Sequence, residues 1–204
     1  MTLFSNYNLN EVLNKSLKNI NFTNPTPIQE KSIPLILQGK DILGSAQTGT
    51  GKTAAFCIPI LELLMKSPRG SLLIMIPTRE LAKQVLDVIN SLLGFKSSIN
   101  TATLIGGESM SKQLSELKKR PRIYVGTPGR INDHLQRGTL NLHDTKYLVL
   151  DETDRMLDMG FEVQINKIIK FLPVSKQVLM FSATIPNNIL KLSSKYLNDP
   201  VRIS

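Results

Sequence analysis

Cysteine, histidine and tryptophan are scarce in this 204-residue chain, which has one cysteine, two histidines and no tryptophan. The single cysteine, Cys57, excludes an internal disulfide and a thiolate metal cluster, and its place in an apolar helical pattern predicts a buried structural thiol. The histidines, His134 and His143, are too few and too isolated to suggest a metal site. Aromatic residues make up 5% of the chain, which argues against base-specific recognition of nucleic acids by stacking.

Long hydrophobic runs and an excess of acidic residues are also missing. Apolar stretches are short and broken by charge, glycine or proline, so no segment is expected to span a bilayer, and residues 1–11 lack the apolar core of a signal peptide. We therefore expect a cytoplasmic protein without a membrane partner. Lysine and arginine total 25 against 16 acidic residues, a formal charge of +9. This charge favours a polyanionic partner such as nucleic acid, but it is also compatible with a solvated basic surface.

Short β-branched runs alternate with amphipathic segments along the chain. This alternation is typical of β-α units, so we predict an α/β fold: one domain with a doubly wound, mainly parallel sheet and helices on both faces. Helical spacing of apolar residues is clear between 81 and 92 and looser between 163 and 172. The predicted strands cover residues 42–43, 72–76, 101–105, 122–125, 147–150 and 178–181.

The octapeptide AQTGTGKT carries the most readable chemistry. It departs from the phosphate-loop pattern G-x-x-x-x-G-K-[ST] only at its first position, where Ala46 replaces glycine. Gly49 and Gly51 let successive backbone N–H groups converge on phosphate oxygens. Lys52 can reach the β and γ phosphates, and Thr53 offers a hydroxyl to Mg²⁺. The alternative, a glycine-rich turn that caps a helix, would not need Lys52 and Thr53 together. The predicted nucleotide-binding loop comprises Ala46, Gln47, Thr48, Gly49, Thr50, Gly51, Lys52 and Thr53.

Unusual residues directly follow most of the predicted strands. In an open α/β sheet, ligands collect at the carboxyl edge of the strands, so these residues are expected to share one surface. They are the phosphate loop, Pro77-Thr78-Arg79, Gly106-Gly107, Thr127-Pro128-Gly129-Arg130, Asp151-Glu152-Thr153-Asp154 and Ser182-Ala183-Thr184.

Two acidic residues after an apolar strand, Asp151 and Glu152, have a use opposite a phosphate loop. Asp151 can hold the hydration shell of Mg²⁺ while Glu152 polarises an attacking water, as phosphoryl transfer to water requires. With Lys52 they form the predicted catalytic set. The alternative makes Asp151 a helix N-cap, with Glu152 and Asp154 favouring the dipole of the first helical turn.

The motifs PTPIQ, AQTGTGKT, PTREL, GG, TPGR, DETD and SAT occur in the order and rough spacing of DEAD-box RNA helicases. From about residue 4 to its end, the chain resembles the first of the two RecA-like domains of that family. The resemblance implies RNA-dependent ATP hydrolysis, with Mg²⁺, coupled to local separation of RNA duplexes through Asp154, Ser182 and Thr184. The chain departs from the family at Thr153, where the family has alanine. Hydrolysis is expected to survive this change, whereas its effect on coupling is open.

The resemblance also implies adenine recognition by residues 22–29, with Phe4 as an isolated upstream aromatic. The Gln29 amide can donate to N7 of adenine and accept from its N6 amine, so ATP should be preferred over GTP. Phe22 could stack on the base or belong to the core. Gln29 has an alternative too, because Thr26 and Gln29 are spaced as a helix capping box.

Contact with the RNA backbone, without sequence specificity, is implied for a third set of residues. Helices beginning at Thr78 and Thr127 would aim N–H groups at phosphates, and such binding weakens steeply as salt rises. The alternative is an ordinary N-cap at Thr127 and arginines that face solvent. The predicted RNA-binding residues are Thr78, Arg79, Gly106, Gly107, Thr127, Pro128, Gly129 and Arg130.

A separate basic cluster occurs between residues 112 and 122. We expect its members to form a solvated helical face, with RNA contact as the alternative. They are Lys112, Lys118, Lys119, Arg120 and Arg122.

The resemblance also divides the chain. Residues 1–30 are expected to form a helical extension with the adenine-recognition motif, and residues 31–204 the first RecA-like domain. The second RecA-like domain, a partner that would supply arginines to the γ-phosphate, lies outside this sequence. The chain alone should therefore bind adenine nucleotide weakly and turn over little ATP. Two alternatives remain: an RNA-clamping module with impaired turnover, and another P-loop ATPase motor.

Overall fold

The computed structural model describes residues 3–94 and 97–204. Seven strands in these residues form one sheet: β1 (Ile42–Ser45), β2 (Ser71–Met75), β3 (Thr101–Leu104), β4 (Ile123–Gly126), β5 (Thr145–Leu150), β6 (Gln177–Ser182) and β7 (Val201–Ile203). Every neighbouring pair is parallel, and the order across the sheet is β3-β4-β2-β5-β6-β1-β7. The predicted α/β class and the six predicted strands are confirmed.

The seventh strand was not expected from the sequence. β7 has only three residues and directly follows Pro200. It pairs with β1 at the edge of the sheet, where Val201 lies opposite Ile42. So short a strand owes its conformation to this pairing rather than to its own periodicity.

Nine α-helices and a 3-10 helix over Phe4–Tyr7 occur within the described ranges. The α-helices are α1 (Glu11–Asn19), α2 (Pro27–Leu37), α3 (Lys52–Lys66), α4 (Arg79–Leu93), α5 (Met110–Lys118), α6 (Pro128–Gln136), α7 (Thr153–Asp158), α8 (Glu162–Ile169) and α9 (Asn187–Tyr196). The apolar spacing predicted α4 and α8 correctly. In the part of the chain that the structure describes, no helix combines the length and the apolar character needed to cross a membrane.

The sheet separates two hydrophobic cores, which is why its central strands are apolar on both faces. Along β2, Leu72 and Ile74 pack into the core that α1 to α4 cover, whereas Leu73 and Met75 pack into the core that α6 to α9 cover. Cys57 on α3 is fully buried in the first core, and burial raises the pKa of its thiol well above the usual value. The predicted structural thiol is thus confirmed.

Strand order divides the carboxyl edge of the sheet into two halves. The adjacent strands β5, β6 and β1 bring the acidic tetrapeptide, the Ser182 segment and the phosphate loop together. The adjacent strands β3, β4 and β2 bring together the glycine pair, the segment starting at Thr127 and the segment starting at Thr78. Motifs far apart in sequence become two neighbouring surfaces because successive strands join the sheet on different sides.

Candidate nucleotide and RNA sites

The phosphate loop leads from β1 into α3. Gly49 and Gly51 have φ values of 86° and 90°, a left-handed conformation that glycine adopts without strain. Residues 47–50 are exposed, while Lys52 and the half-buried Thr53 begin the helix. The loop therefore presents the helix N-terminus and its free N–H groups at the surface, as anion binding requires. Gly51 is the N-cap of α3, so the helix-capping alternative and the phosphate-binding prediction describe the same backbone.

Gln29 contacts the phosphate loop directly. Its Nε2 donates to the Gly51 carbonyl at 3.0 Å, and its Oε1 accepts from the Thr26 amide at 2.9 Å. A β-carbon on Gly51 would lie 2.5 Å from the Gln29 amide nitrogen, so no other residue fits there without a shift. The amide therefore forms its half of the capping box and also lies beside the loop. These contacts use one amide hydrogen and one carbonyl lone pair, and the remaining hydrogen and lone pair suit a purine edge.

Lys52 and Asp151 form the charged centre of this half. Their Nζ and Oδ1 atoms are 4.0 Å apart, and the side chains are 6% and 9% exposed. Within residues 3–94 and 97–204, Lys52 Nζ has no hydrogen-bond partner. Burial raises the pKa of the Asp151 carboxyl to about 6, and the nearby Lys52 charge offsets this only in part. A buried ammonium without a hydrogen bond and a carboxylate that resists ionisation both suit a site that a phosphate and a hydrated cation complete.

Glu152 has a strained backbone beside this centre. Its φ and ψ are both 50°, and it is the N-cap of α7, so the alternative in which Asp151 is the N-cap is wrong. Asp151 Oδ1 instead accepts from the Glu152 amide at 2.9 Å. The Glu152 carboxylate lies 3.3 Å from the Arg155 guanidinium. Left-handed non-glycine residues are costly and concentrate at functional sites.

The three predicted coupling residues are joined by hydrogen bonds. Asp154 Oδ2 accepts from the Ala183 amide at 3.1 Å, the Thr184 amide at 3.0 Å and the Thr184 hydroxyl at 3.1 Å. The Asp154 amide in turn donates to Ser182 Oγ at 3.2 Å. Burial opposes ionisation of Asp154, but these donors outweigh it and keep the pKa below its usual value. The segment after β5 is therefore tied to the segment after β6.

Thr153 adds a second tie between the same segments. Its buried hydroxyl lies 3.1 Å from the carbonyl oxygen of Leu150, at the end of β5, and 3.1 Å from that of Phe181, on β6. The β5–β6 pairing stops at Leu150 and Met180, so the hydroxyl supplies a donor where the ladder ends.

Replacement of Thr153 by valine, which keeps the shape and removes the hydroxyl, is expected to destabilise the chain by about 2 kcal/mol, because the single hydroxyl hydrogen, which lies between two buried carbonyl oxygens, is lost. Thr153→Ser retains the hydroxyl and should lose about 1 kcal/mol for the missing methyl group. Urea unfolding of the three proteins measures both values. A valine variant as stable as the parent would show that the hydroxyl makes no net contribution.

The other half of the carboxyl edge forms a groove of about 740 Å³. Six predicted RNA-binding residues line it, namely Thr78, Arg79, Gly106, Thr127, Gly129 and Arg130. Gly107 borders the groove, since a β-carbon on it would overlap the Arg79 guanidinium. Pro128 is the buried first residue of α6 and is not among the lining residues.

Both groove arginines have a defined place. Arg79 is exposed at the start of α4, where Thr78 Oγ1 caps the helix by accepting from the Leu81 amide at 3.3 Å. Arg130 is half-buried and donates to the Glu108 carbonyl at 3.3 Å. The N-cap alternative for Thr127 holds for the backbone, but its side chain makes no capping hydrogen bond.

Phe22 belongs to a small aromatic cluster of the N-terminal segment. It is 38% exposed and stacks on Phe4, with the ring centroids 6.1 Å apart. Phe4 is itself buried, so the pair anchors the N-terminal segment to the core. The exposed part of the Phe22 ring is still available to a base, which stays a prediction.

The prediction for Arg122 as a member of a solvated basic face is wrong. Its guanidinium donates to the carbonyls of Gly70, Leu64, Ser67 and Arg69 at distances of 2.8, 3.0, 2.8 and 3.2 Å. It is a structural residue that holds the connection between α3 and β2. The remaining members of the cluster, at positions 112, 118, 119 and 120, are exposed as predicted.

Two residues that the sequence did not single out for binding support the groove. Gln113 and His134 are both fully buried, and their side chains are hydrogen-bonded to one another beneath the glycine pair. Their contact joins α5 to α6, and no periodic signal in the sequence marks it. The helical pattern alone indicates only that His134 lies one turn after Arg130 on the same face of the helix.

Comparison with known proteins agrees with this geometry. A family model described as DEAD/DEAH box helicase matches residues 26–192. The chain is 47% identical over 201 residues to the ATP-dependent RNA helicase CshA of Listeria monocytogenes, and 45% identical over 200 residues to the DEAD-box ATP-dependent RNA helicase RhpA of Helicobacter pylori. Each match covers 98% of this chain but only 38% and 40% of the relative, so the chain spans about two fifths of their length.

A solved structure is similar over the whole chain. The DEAD box protein from the hyperthermophile Methanococcus jannaschii matches with a TM-score of 0.94 and 44% identity, covering 100% of this chain and 56% of that one. The RecA-like architecture predicted from the motifs is thereby confirmed. With a family model over most of its length and a parallel sheet that gathers the expected motifs at one edge, the chain belongs to the DEAD/DEAH box helicase family.

Proposed function

We propose that this chain is the ATP-binding half of a cytoplasmic, ATP-dependent RNA helicase that locally separates RNA duplexes or remodels RNA–protein complexes. The observation that carries the proposal is that Gln29 and Asp151, which are far apart in sequence, both meet the phosphate loop, Gln29 at Gly51 and Asp151 at Lys52. Residues 1–30 would serve as the adenine-recognition extension and residues 31–204 as the RecA-like domain. A second RecA-like domain of the same protein would complete both sites.

In the proposed ATP site each residue has a separate task. The loop from Ala46 to Thr53 would hold the phosphates through its N–H groups, and Lys52 would neutralise the β and γ phosphates. Thr53 would bind Mg²⁺ through its hydroxyl and Asp151 through water. Glu152 would orient the attacking water and take its proton. The metal ion would supply charge neutralisation on the transferred phosphate.

The groove of about 740 Å³ is the proposed RNA site. Its lining offers two helix N-termini, two arginines and glycine backbone, all of which suit phosphate and ribose oxygens rather than base edges. Binding should therefore be independent of sequence and should weaken steeply with salt. Hydrogen bonds between Asp154 and the segment 182–184 support a path by which the ATP site and the neighbouring domain influence one another.

RNA-stimulated ATP hydrolysis by the natural protein that contains this chain tests the proposal. Glu152→Gln keeps the size of the side chain but removes the base, so the rate should fall by about 10²-fold to 10⁴-fold while nucleotide binding persists. Glu162→Gln, an exposed change nearby on α8, is the matched control and should be neutral. The chain alone should show little turnover because it lacks the partner arginines.

The same assay separates the alternatives. Equal rates of ATP hydrolysis for the parent and Glu152→Gln would contradict the enzyme and favour the alternative of an RNA-clamping module. Stimulation by DNA as strong as by RNA, or hydrolysis of GTP as fast as of ATP, would instead indicate another P-loop motor. The proposed function requires a preference for RNA and for adenine.

A further inference from the structure

A buried polar network lies directly behind the RNA groove. His134 and Gln113 are each 0% exposed, and His134 Nε2 lies 3.0 Å from Gln113 Oε1. Gln113 Nε2 lies 2.9 Å from the Ile105 carbonyl oxygen and 3.4 Å from that of Glu108. The ring Nδ1 of His134 lies 2.8 Å from the Thr139 hydroxyl. Two polar side chains are thus withdrawn from water and fully engaged, which is costly unless every contact is kept.

The hydrogen-bond directions follow from the partners. The two carbonyl oxygens can only accept, so the Gln113 amide nitrogen must face them and its Oε1 must face the histidine. Burial, and after it the charge of Arg130, lowers the pKa of His134 below its usual value. The ring is therefore neutral at neutral pH, with its proton on Nε2 donated to Gln113. The Gln113 amide therefore has a single consistent orientation, which the two carbonyls set and the His134 N–H matches.

The two carbonyls that Gln113 holds flank the glycine pair. Gly106 has open space where a β-carbon would lie. Gly107 has a φ of 73°, and a β-carbon on it would overlap the Arg79 guanidinium. Because they have no side chains, these residues cannot hold the loop through side-chain contacts of their own. Gln113 holds the loop from behind at both ends, while Arg130 from the same helix as His134 donates to the Glu108 carbonyl as well. These contacts fasten the loop to α5 and α6, and the Glu108 carboxylate adds ion pairs to Lys112 on α5 and Lys83 on α4.

We propose that Gln113 and His134 are positioning residues that hold the loop at 105–108 in the shape that binds RNA, and that they connect this loop to the helix beginning at Thr127. The inference rests on the proposed RNA function of the groove. Neither side chain is required to touch RNA. Each acts by keeping the backbone N–H groups of the glycine pair and the Arg79 side chain in one arrangement.

Paired substitutions in the natural protein test this role. Gln113→Met keeps the length and removes both donors, and His134→Leu removes the N–H that donates to the glutamine. Each variant should bind a fluorescent single-stranded oligouridylate about tenfold more weakly, the equivalent of one or two lost hydrogen bonds. His134→Gln can donate from a position like that of Nε2 and should recover most of the affinity. Binding of a fluorescent ADP, measured on the same samples, should change by less than about twofold because its site is separate.

Three outcomes distinguish the ideas. RNA affinity that falls for Arg79→Ala but stays unchanged for Gln113→Met and His134→Leu would overturn the positioning role and leave the RNA function intact. Equal losses of RNA and ADP affinity would show a general folding defect and would also overturn it. A parent protein with no RNA affinity would overturn the proposed function itself. Should Gln113→Met fail to fold, the comparison of His134→Gln with His134→Leu decides alone.

Discussion

Replacement of Arg122 by alanine is expected to destabilise the chain by about 3 kcal/mol, although the side chain lies in a cluster of basic residues. The guanidinium, placed just before β4, donates to four carbonyl oxygens. One of them, that of Leu64, belongs to the last turn of α3, whose carbonyls have no partner within the helix. The other three belong to the connection from α3 to β2. Loss of the guanidinium removes the donor to the helix end and most of the donors to this connection, where the Arg69 carbonyl keeps a second donor, the Ser67 hydroxyl at 3.0 Å.

Thermal unfolding measures the effect, and for a chain of this size about 3 kcal/mol corresponds to a midpoint lower by about 6–12 °C. Arg122→Lys should recover little, since an ammonium cannot reproduce the planar fork of donors. Lys118→Ala, an exposed member of the same cluster, is the matched control and should stay within about 0.5 kcal/mol. Equal midpoints for the Arg122 and Lys118 variants would mean that water replaces the guanidinium at no cost.

Arg122 illustrates what the sequence can and cannot predict. Hydrophobic periodicity predicts strands and helices, and the spacing of glycine and lysine predicts the phosphate loop. Both signals can be read because they depend on residues that are close together in sequence. The direction of a long charged side chain depends on which loop lies opposite, and that is decided by strand order. β7 was missed for a related reason, since its three residues become a strand only by pairing with β1.

The site shows the same division. The acids, the lysine and the glycine-rich motifs could be identified because phosphate chemistry requires those residue types after strands. Gln29 could be assigned two competing roles: its capping contact is present and its amide lies against the phosphate loop, whereas adenine recognition stays a prediction. The pair of Gln113 and His134 could not be predicted, since a contact between side chains 21 positions apart leaves no periodic signal.

Replacement of Asp151 by asparagine is expected to stabilise the chain near pH 8, although it removes a residue of the proposed metal site. Burial raises the pKa of this carboxyl from 3.8 to about 6. The folded state therefore binds a proton more tightly than the unfolded state does, and the stability that this proton contributes is lost as pH rises from about 4 to about 6. Two pKa units correspond to about 3 kcal/mol, so Asp151→Asn should gain up to this amount above pH 6 and nothing below pH 4.

Urea unfolding of the parent and Asp151→Asn between pH 4 and pH 8 tests this expectation, with Asp158→Asn, an exposed change at the end of α7, as the matched control. A difference between the two proteins that does not change with pH would contradict it.

The same charge that destabilises the free chain is the one that a hydrated Mg²⁺ would compensate. Mg²⁺ with ADP should therefore raise the unfolding midpoint of the parent more than that of Asp151→Asn at pH 7.5. If Mg²⁺ with ADP raised the midpoints of both proteins equally, Asp151 would not be part of the metal site, and its raised pKa would have no connection with metal binding.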